Sequence, residues 1–110
     1  MHKVVLMAML LTSFATACAA AEMRGAWVTS WNDGFFTAKQ IDDTISAAKK
    51  AGINALFIEV RKTADAYYQS DIEPLGDGVP KGFDPLAYTI KKAHAQGIQV
   101  HAWVVVYRVW

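Results

Sequence analysis

Cysteine is almost absent from this chain: Cys18 is the only one among 110 residues, so no intramolecular disulfide can hold the fold together. Charge of one sign is missing too. Eleven Lys and Arg stand against ten Asp and Glu, for a net charge of +1, and a chain this balanced lacks the basic footprint that nucleic acid would require. No apolar run reaches the length of a membrane-spanning helix, since about 18 consecutive apolar residues are needed. His94 and His101 fall seven apart on different predicted elements, and the lone cysteine lies near the N-terminus, so no metal-ligand spacing is present. Ser30 lacks the context of a nucleophile elbow. No cofactor is therefore expected.

What the chain does have begins with Met1-His2-Lys3, an apolar stretch from Val4 to Leu11 and small residues from Ala15 to Ala21. That is the build of a secretory signal peptide covering residues 1–21, and it predicts export to the periplasm, the outer membrane or the exterior. Ala19-Ala20-Ala21 suits a general signal peptidase. Ala15-Thr16-Ala17-Cys18 resembles a lipobox, which makes Cys18 a lipidation candidate and the one expected route to a membrane. At the other end the chain stops at Tyr107-Arg108-Val109-Trp110, directly after an apolar strand. Residues 22–110 therefore read as the front part of a longer domain.

Arg24 to Trp31 mixes Trp, Val and Thr and ends at Asn32-Asp33-Gly34, the pattern of a strand and a turn. Thr37 and Gln40 form a capping box; Ile41, Ile45 and Ala48 share one face of the helix that follows, and Gly52 ends it. Asn54 to Arg61 is a nearly continuous apolar run, as in a strand covered on both faces. Asp84-Pro85 opens a second helix with a predicted stripe of Leu86, Ile90 and Ala93, Gly97 closes it, and Ile98 to Tyr107 reads as the third strand. Ile45, Ala48, Gly52 and Ile53 recur as Ile90, Ala93, Gly97 and Ile98, a spacing of 45 residues. A helix, Gly-Ile and buried strand repeated in this way is a β/α unit with parallel strands. Without a glycine-rich phosphate loop after the first strand, the expected fold class is α/β, the first three units of a (β/α)8 TIM-like barrel. About 250 residues make a whole barrel, so this chain holds its first third.

In such folds chemistry gathers at the carboxyl ends of the strands. Alternation puts Leu56, Ile58 and Val60 on one face of the second strand and Phe57, Glu59 and Arg61 on the other. The charged pair is too costly to bury against helices, which directs Glu59 and Arg61 inward, with mutual neutralisation alone as the structural alternative. Asp65, Tyr67 and Tyr68 follow on the loop, suited to a polar ring such as a sugar, with Asp65 capping its own turn as the structural alternative. For the third strand two arguments conflict. The Gly52 and Gly97 alignment turns Ala102, Val104 and Val106 inward, whereas polarity turns His101, Trp103 and Tyr107 inward; polarity is the stronger, since bulges shift alignments while the burial cost of His persists. His101 is then either a substrate or carboxylate partner or a satisfied core histidine. Trp27, Trp31 and Trp103 are candidate sugar platforms, with core packing as the alternative. Tyr107 and Arg108 sit at the strand end within reach of a ligand.

The segments Arg24-Gly25-Ala26-Trp27-Val28-Thr29, Glu59-Val60-Arg61, Asp65-Ala66-Tyr67-Tyr68, Glu73-Pro74, Phe83-Asp84-Pro85-Leu86, His101-Ala102-Trp103 and Tyr107-Arg108 together resemble the glycosyl hydrolase-like family 10. The resemblance implies a TIM-like barrel in exported, often lipoprotein, bacterial enzymes acting on glycosidic bonds of polysaccharide or peptidoglycan glycan. Three places depart from it: Glu59 stands where many members have Gln, Lys62-Thr63-Ala64 replaces a Pro-Ala-Gly type turn, and Val105-Val106 replaces an Asn-Pro-like pair. Glycosidases of this kind use two carboxylates, which in barrels usually come from the fourth strand onward. The catalytic residues are thus unknown and expected downstream, and the chain alone is expected to be inactive. The assigned substrate-binding set is Arg61, Asp65, Tyr68, His101, Trp103, Tyr107 and Arg108, supported by Glu59 and Trp27. The competing expectation is a non-catalytic carbohydrate-binding or envelope scaffold barrel. A weaker third has Arg61 holding a phosphate or carboxylate.

Overall fold

The computed structural model describes residues 22–109; the predicted signal segment and Cys18 lie outside them. Five elements follow one another: β1 (Gly25–Val28), α1 (Ala38–Lys50), β2 (Ala55–Arg61), α2 (Pro85–Ala95) and β3 (Gln99–Val104). The strands form one parallel sheet in the order β1-β2-β3.

The helix ends follow from the sequence. Thr37 Oγ1 accepts the Gln40 amide at 3.3 Å, and Gln40 Oε1 returns to the amides of Thr37 and Phe36 at 3.3 and 2.9 Å. A cap of this kind is worth about 1 kcal/mol. At the far end Gly52 takes φ +73, its amide bonds the Lys49 carbonyl, and the Ile53 amide bonds the Ala48 carbonyl at 2.9 Å. This is a Schellman motif. It recurs at α2, with Gly97 at φ +71 and the Ile98 amide on Ala93 at 2.9 Å. The sequence repeat is therefore a repeat of helix terminators that feed strands.

Leu56, Ile58 and Val60 are at most 2% exposed and pack against Ile41, Ile45, Ala48, Ala93 and Ile98. Burying each of the larger aliphatic side chains stabilises the fold by about 1.5–3 kcal/mol. The predicted stripe of α1 is the observed one. That of α2 is not: Pro85, Thr89 and Ala93 are its buried residues, Leu86 is partly buried, and Ile90 is 38% exposed. Thr89 tolerates the interior because its hydroxyl donates to the Pro85 carbonyl at 2.7 Å, a bond within one helical turn that removes the cost of burying it.

Strands β1 and β3 are shorter than the sequence suggested, which had 24–31 and 98–107. β1 stops at Val28 because Thr29 and Ser30 turn aside to bond Glu59. β3 stops at Val104 because the next two carbonyls are taken by Arg61. Phe57 pairs with His101 and Glu59 with Trp103, so His101 and Trp103 share the face of Glu59 and the alignment through the glycines is off by one residue. The extra residue is Asn54. Its amide and that of Ala55 converge on the Arg24 carbonyl, while its side chain bonds the Arg24 amide at 2.7 Å and the Glu22 carbonyl at 2.7 Å. Two amides on one acceptor is the signature of a bulge.

Candidate functional site

The side chains that converge at the carboxyl ends of β1 and β2 are polar and buried. Glu59 is 1% exposed, and its Oε2 accepts from Thr29 Oγ1 at 2.8 Å, the Ser30 amide at 2.9 Å and Ser30 Oγ at 3.0 Å. Charge-assisted bonds of this kind are what a buried carboxylate needs. Arg61 does not pair with Glu59, correcting one structural reading of the sequence. Its Nε donates to both Glu73 oxygens, at 2.7 and 3.0 Å, and its Nη1 donates to the carbonyls of Val105 and Val106, the latter at 3.1 Å. Arg61 thus fastens the loop after β2 to the segment after β3.

Asp65 caps its own turn: Oδ1 accepts the Lys62 and Thr63 amides at 3.0 and 2.9 Å, and Oδ2 accepts Thr63 Oγ1 at 3.3 Å. Burial pushes its pKa up, but the amides of Thr63 and Lys62 and the Lys62 charge outweigh it, so the carboxyl ends below its ordinary value. Between them Ala64 is held at φ +59, a left-handed conformation that costs a residue with a β-carbon about 1 kcal/mol.

Lys62 ties this turn to the end of β1. Its Nζ donates to the Ser30 carbonyl at 2.9 Å and lies 4.9 Å from the Trp31 ring centroid and 5.3 Å from that of Tyr67. Arg108 Cζ lies 4.9 Å from the Trp31 ring. Trp31, half exposed, Lys62, Thr63, Asp65, Leu75 and Asp77 line a groove of about 330 Å³. A depression of about 360 Å³ between the helices, at Asp42, Lys49 and Lys92, lies away from the strand ends, where parallel sheets bind ligands.

The remaining predicted residues separate. Trp27, Phe57, His101 and Trp103 form an aromatic row on the sheet face opposite the helices: Trp27 lies 4.8 Å from Phe57 and 5.2 Å from Trp103, and Phe57 stacks on His101 at 4.8 Å. His101 Nε2 also meets Gln99 Oε1 at 3.1 Å. Tyr68 packs against the core and opens on a second cleft beside Glu73 and Phe83. Tyr107 does not turn inward with the row; past the end of β3 it is 95% exposed.

Tyr67 belongs to the core, packed on Phe35 and Phe36 at 5.7 and 5.5 Å. A β-carbon on Gly76 would collide with its ring, so a larger residue there has to displace the ring. Its hydroxyl has no hydrogen-bond partner among the described residues, and burial pushes the phenol pKa up. Lys62, Thr29, Ser30 and Glu73 were not singled out from sequence as site residues. A usable signal was the charge on Glu59, because a buried acid requires donors nearby and the small hydroxyl residues ending the neighbouring strand are the closest supply. Among the described residues no group of three or more His, Cys, Asp or Glu is placed to hold a metal, and no helix is long and apolar enough to cross a membrane.

The family Glycosyl hydrolase-like 10 matches residues 22–109. Glycosyl hydrolase YngK of Bacillus subtilis (strain 168) is 31% identical over 104 residues, covering 80% of this chain and 20% of that protein. Glycosyl hydrolase DigH of Escherichia coli (strain K12) is 36% identical over 73 residues, covering 61% of this chain and 17% of that protein. The chain therefore spans about a fifth of the length of the curated relatives it matches. With the match running from Glu22 to Val109, through every strand, helix and loop described above, the chain belongs to the Glycosyl hydrolase-like 10 family.

Proposed function

We propose that residues 22–110 are one wall of a (β/α)8 glycoside hydrolase that cleaves O-glycosidic bonds of a polysaccharide or peptidoglycan glycan. On this reading, residues 1–21 direct export to the cell envelope, with Cys18 as a candidate lipid anchor. The observation that carries the proposal is the family match across residues 22–109; the parallel three-stranded sheet with polar groups at its carboxyl edge supports it. The wall binds and orients sugar, while the acid and the nucleophile or base come from later strands. Within this chain Glu59, Asp65 and Glu73 are each engaged in holding loops, which suits positioning rather than proton transfer.

That engagement also favours a second reading, a carbohydrate-binding barrel that cleaves nothing. One experiment separates them. The protein carrying this segment at the length of its relatives is incubated with defined glycans, and new reducing ends are measured. Hydrolysis that disappears when an Asp or Glu at a later strand end is replaced supports the enzyme. Glycan binding without hydrolysis supports the binding barrel, and an absence of both binding and hydrolysis sinks both readings.

A further inference from the structure

We propose that the end of the molecule at which both helices finish is a docking surface for an anionic lipid bilayer, an assignment that rests on the envelope reading above. Charge is divided along the strand direction although the chain as a whole is nearly neutral. At the end where the helices finish, Arg24, Lys49, Lys50, Lys91 and Lys92 stand against Glu22 and Asp42, five cations to two carboxylates among the described residues. The other eight carboxylates lie at the end of β2, in the loops that follow strands or in the first half of a helix, where only five cations accompany them. A protein divided in this way is turned by the field of a charged surface. The helix dipole accounts for Lys49, whose Nζ donates to the Gln96 carbonyl at 2.9 Å. Lys50 and Lys91 are exposed and hold no carbonyl or carboxylate among the described residues. Beside them the depression of about 360 Å³ lined by Lys49, Lys50 and Lys92 is large enough for a phosphodiester headgroup.

The route of the chain selects a membrane over a soluble polyanion. The residues just before β1 are fastened at this same end: Asn54 Nδ2 donates to the Glu22 carbonyl at 2.7 Å, and Arg24 Nε donates to the Gly52 carbonyl at 2.6 Å. Cys18 stands four residues before Glu22, a distance of at most about 14 Å in fully extended chain. A lipid on that cysteine therefore holds the basic end within about two Debye lengths of the headgroups. There each Lys or Arg strengthens attachment about fivefold, and a basic patch is the second signal that a single lipid chain needs for stable anchoring. In this orientation the carboxyl ends of the strands, with Trp31 and the groove beside it, face away from the bilayer.

The test is flotation of the full chain, made by cell-free synthesis so that Cys18 carries no lipid, with vesicles of phosphatidylethanolamine and phosphatidylglycerol or of phosphatidylcholine alone, at low salt. Binding to the anionic vesicles should be at least about tenfold tighter than to phosphatidylcholine. Lys50→Gln combined with Lys91→Gln should weaken it about tenfold, while thermal unfolding stays unchanged. Lys39→Gln combined with Lys81→Gln removes the same charge from the opposite end and should leave binding within about twofold, because charges beyond a Debye length are screened. Equal loss from the two double variants overturns the inference, since net charge alone would then explain binding. Equal affinity for the two kinds of vesicle, or binding to neither, overturns it too. So does an affinity for soluble polyglutamate that matches the anionic vesicles, which would give the face to an acidic polymer. Fractionation of cells expressing the full chain judges the export reading separately, because a chain can leave the cytoplasm without its basic end meeting lipid.

Discussion

One oxygen of Glu59 holds Ser30 twice, accepting its amide at 2.9 Å and its hydroxyl at 3.0 Å. The end of one strand is thereby anchored to the middle of the sheet. Because Trp31 follows directly, the carboxylate also sets where the indole stands over the groove. Glu59→Ala would leave three donors without their acceptor in a buried site, and a loss of about 3–5 kcal/mol is expected. Glu59→Gln keeps an acceptor and should cost less, about 1–2 kcal/mol. Urea unfolding of both variants checks the order, and a Gln variant as unstable as the Ala variant would contradict it.

Tyr67 and Gly76 give the opposite pattern. Tyr67→Phe removes a buried hydroxyl that has no partner among the described residues, so it should be neutral or stabilise by up to about 1 kcal/mol. Gly76→Ala drives a methyl into the same ring and should cost about 1–3 kcal/mol. A phenol whose folded pKa is raised loses stability once pH climbs above its unfolded value of 10.0. Alkaline melting curves should therefore be flatter for the Phe variant.

For Asp65 the pH dependence has the other sign. Its folded pKa lies below the ordinary 3.8, so its contribution is fully present above that value and is lost as pH falls through the folded one. Asp65→Asn should lower the melting temperature at pH 6 and 7, and the difference from wild type should shrink below pH 3. A gap that stayed constant down to pH 2 would assign the effect to shape rather than to charge.

Arg61 joins two loops through the fork of its guanidinium. Arg61→Lys retains the charge but cannot grip Glu73 and two carbonyls together. Amide hydrogen exchange should quicken in both the 66–76 segment and the 105–108 segment, with a stability loss of about 1–3 kcal/mol. Faster exchange in one segment alone would show that the arginine does not couple them.

The aromatic row bears on solution behaviour. Trp27 is 68% exposed and Val104, on an edge strand, 45%, which makes an open sheet face and edge of the kind that self-associates. Purified residues 22–110 should sediment as concentration-dependent oligomers, and Trp27→Lys should shift them toward monomer. A sharp monomer with cooperative unfolding at every concentration would contradict this.

Most of the framework was legible because it rests on local rules. The capping box at Thr37, the glycines after both helices and the period of two in β2 each act within a few residues. The orientation of His101 and Trp103 was legible only through polarity, since repeat alignment pointed the other way. Hydrophobicity alone points to the wrong α2 stripe, because a hydroxyl that bonds its own helix, as in Thr89, is cheap to bury. The partners of Arg61 were out of reach of pattern reasoning: Glu73 and the Val105 and Val106 carbonyls are brought to it by loop closure across 12 to 45 residues. That Tyr67 enters the core depends on Gly76 opposite its ring, a contact between loop positions that no local pattern reveals.

Asn54 gives this architecture a parity. Side chains alternate along a strand, so lengthening or shortening the connection by one residue reverses the assignment of every position after it. The two helix-to-strand units share a template of the same length up to Ile53 and Ile98, and the extra residue between Ile53 and Ala55 is what sends Glu59 away from the helices and Ile58 toward them; a second register shift follows between Glu59 and Arg61. Deleting Asn54 would exchange those two residues' surroundings without altering either. Whether Glu59 meets the helices or the opposite face of the sheet is thus decided outside the strand, in a short connector.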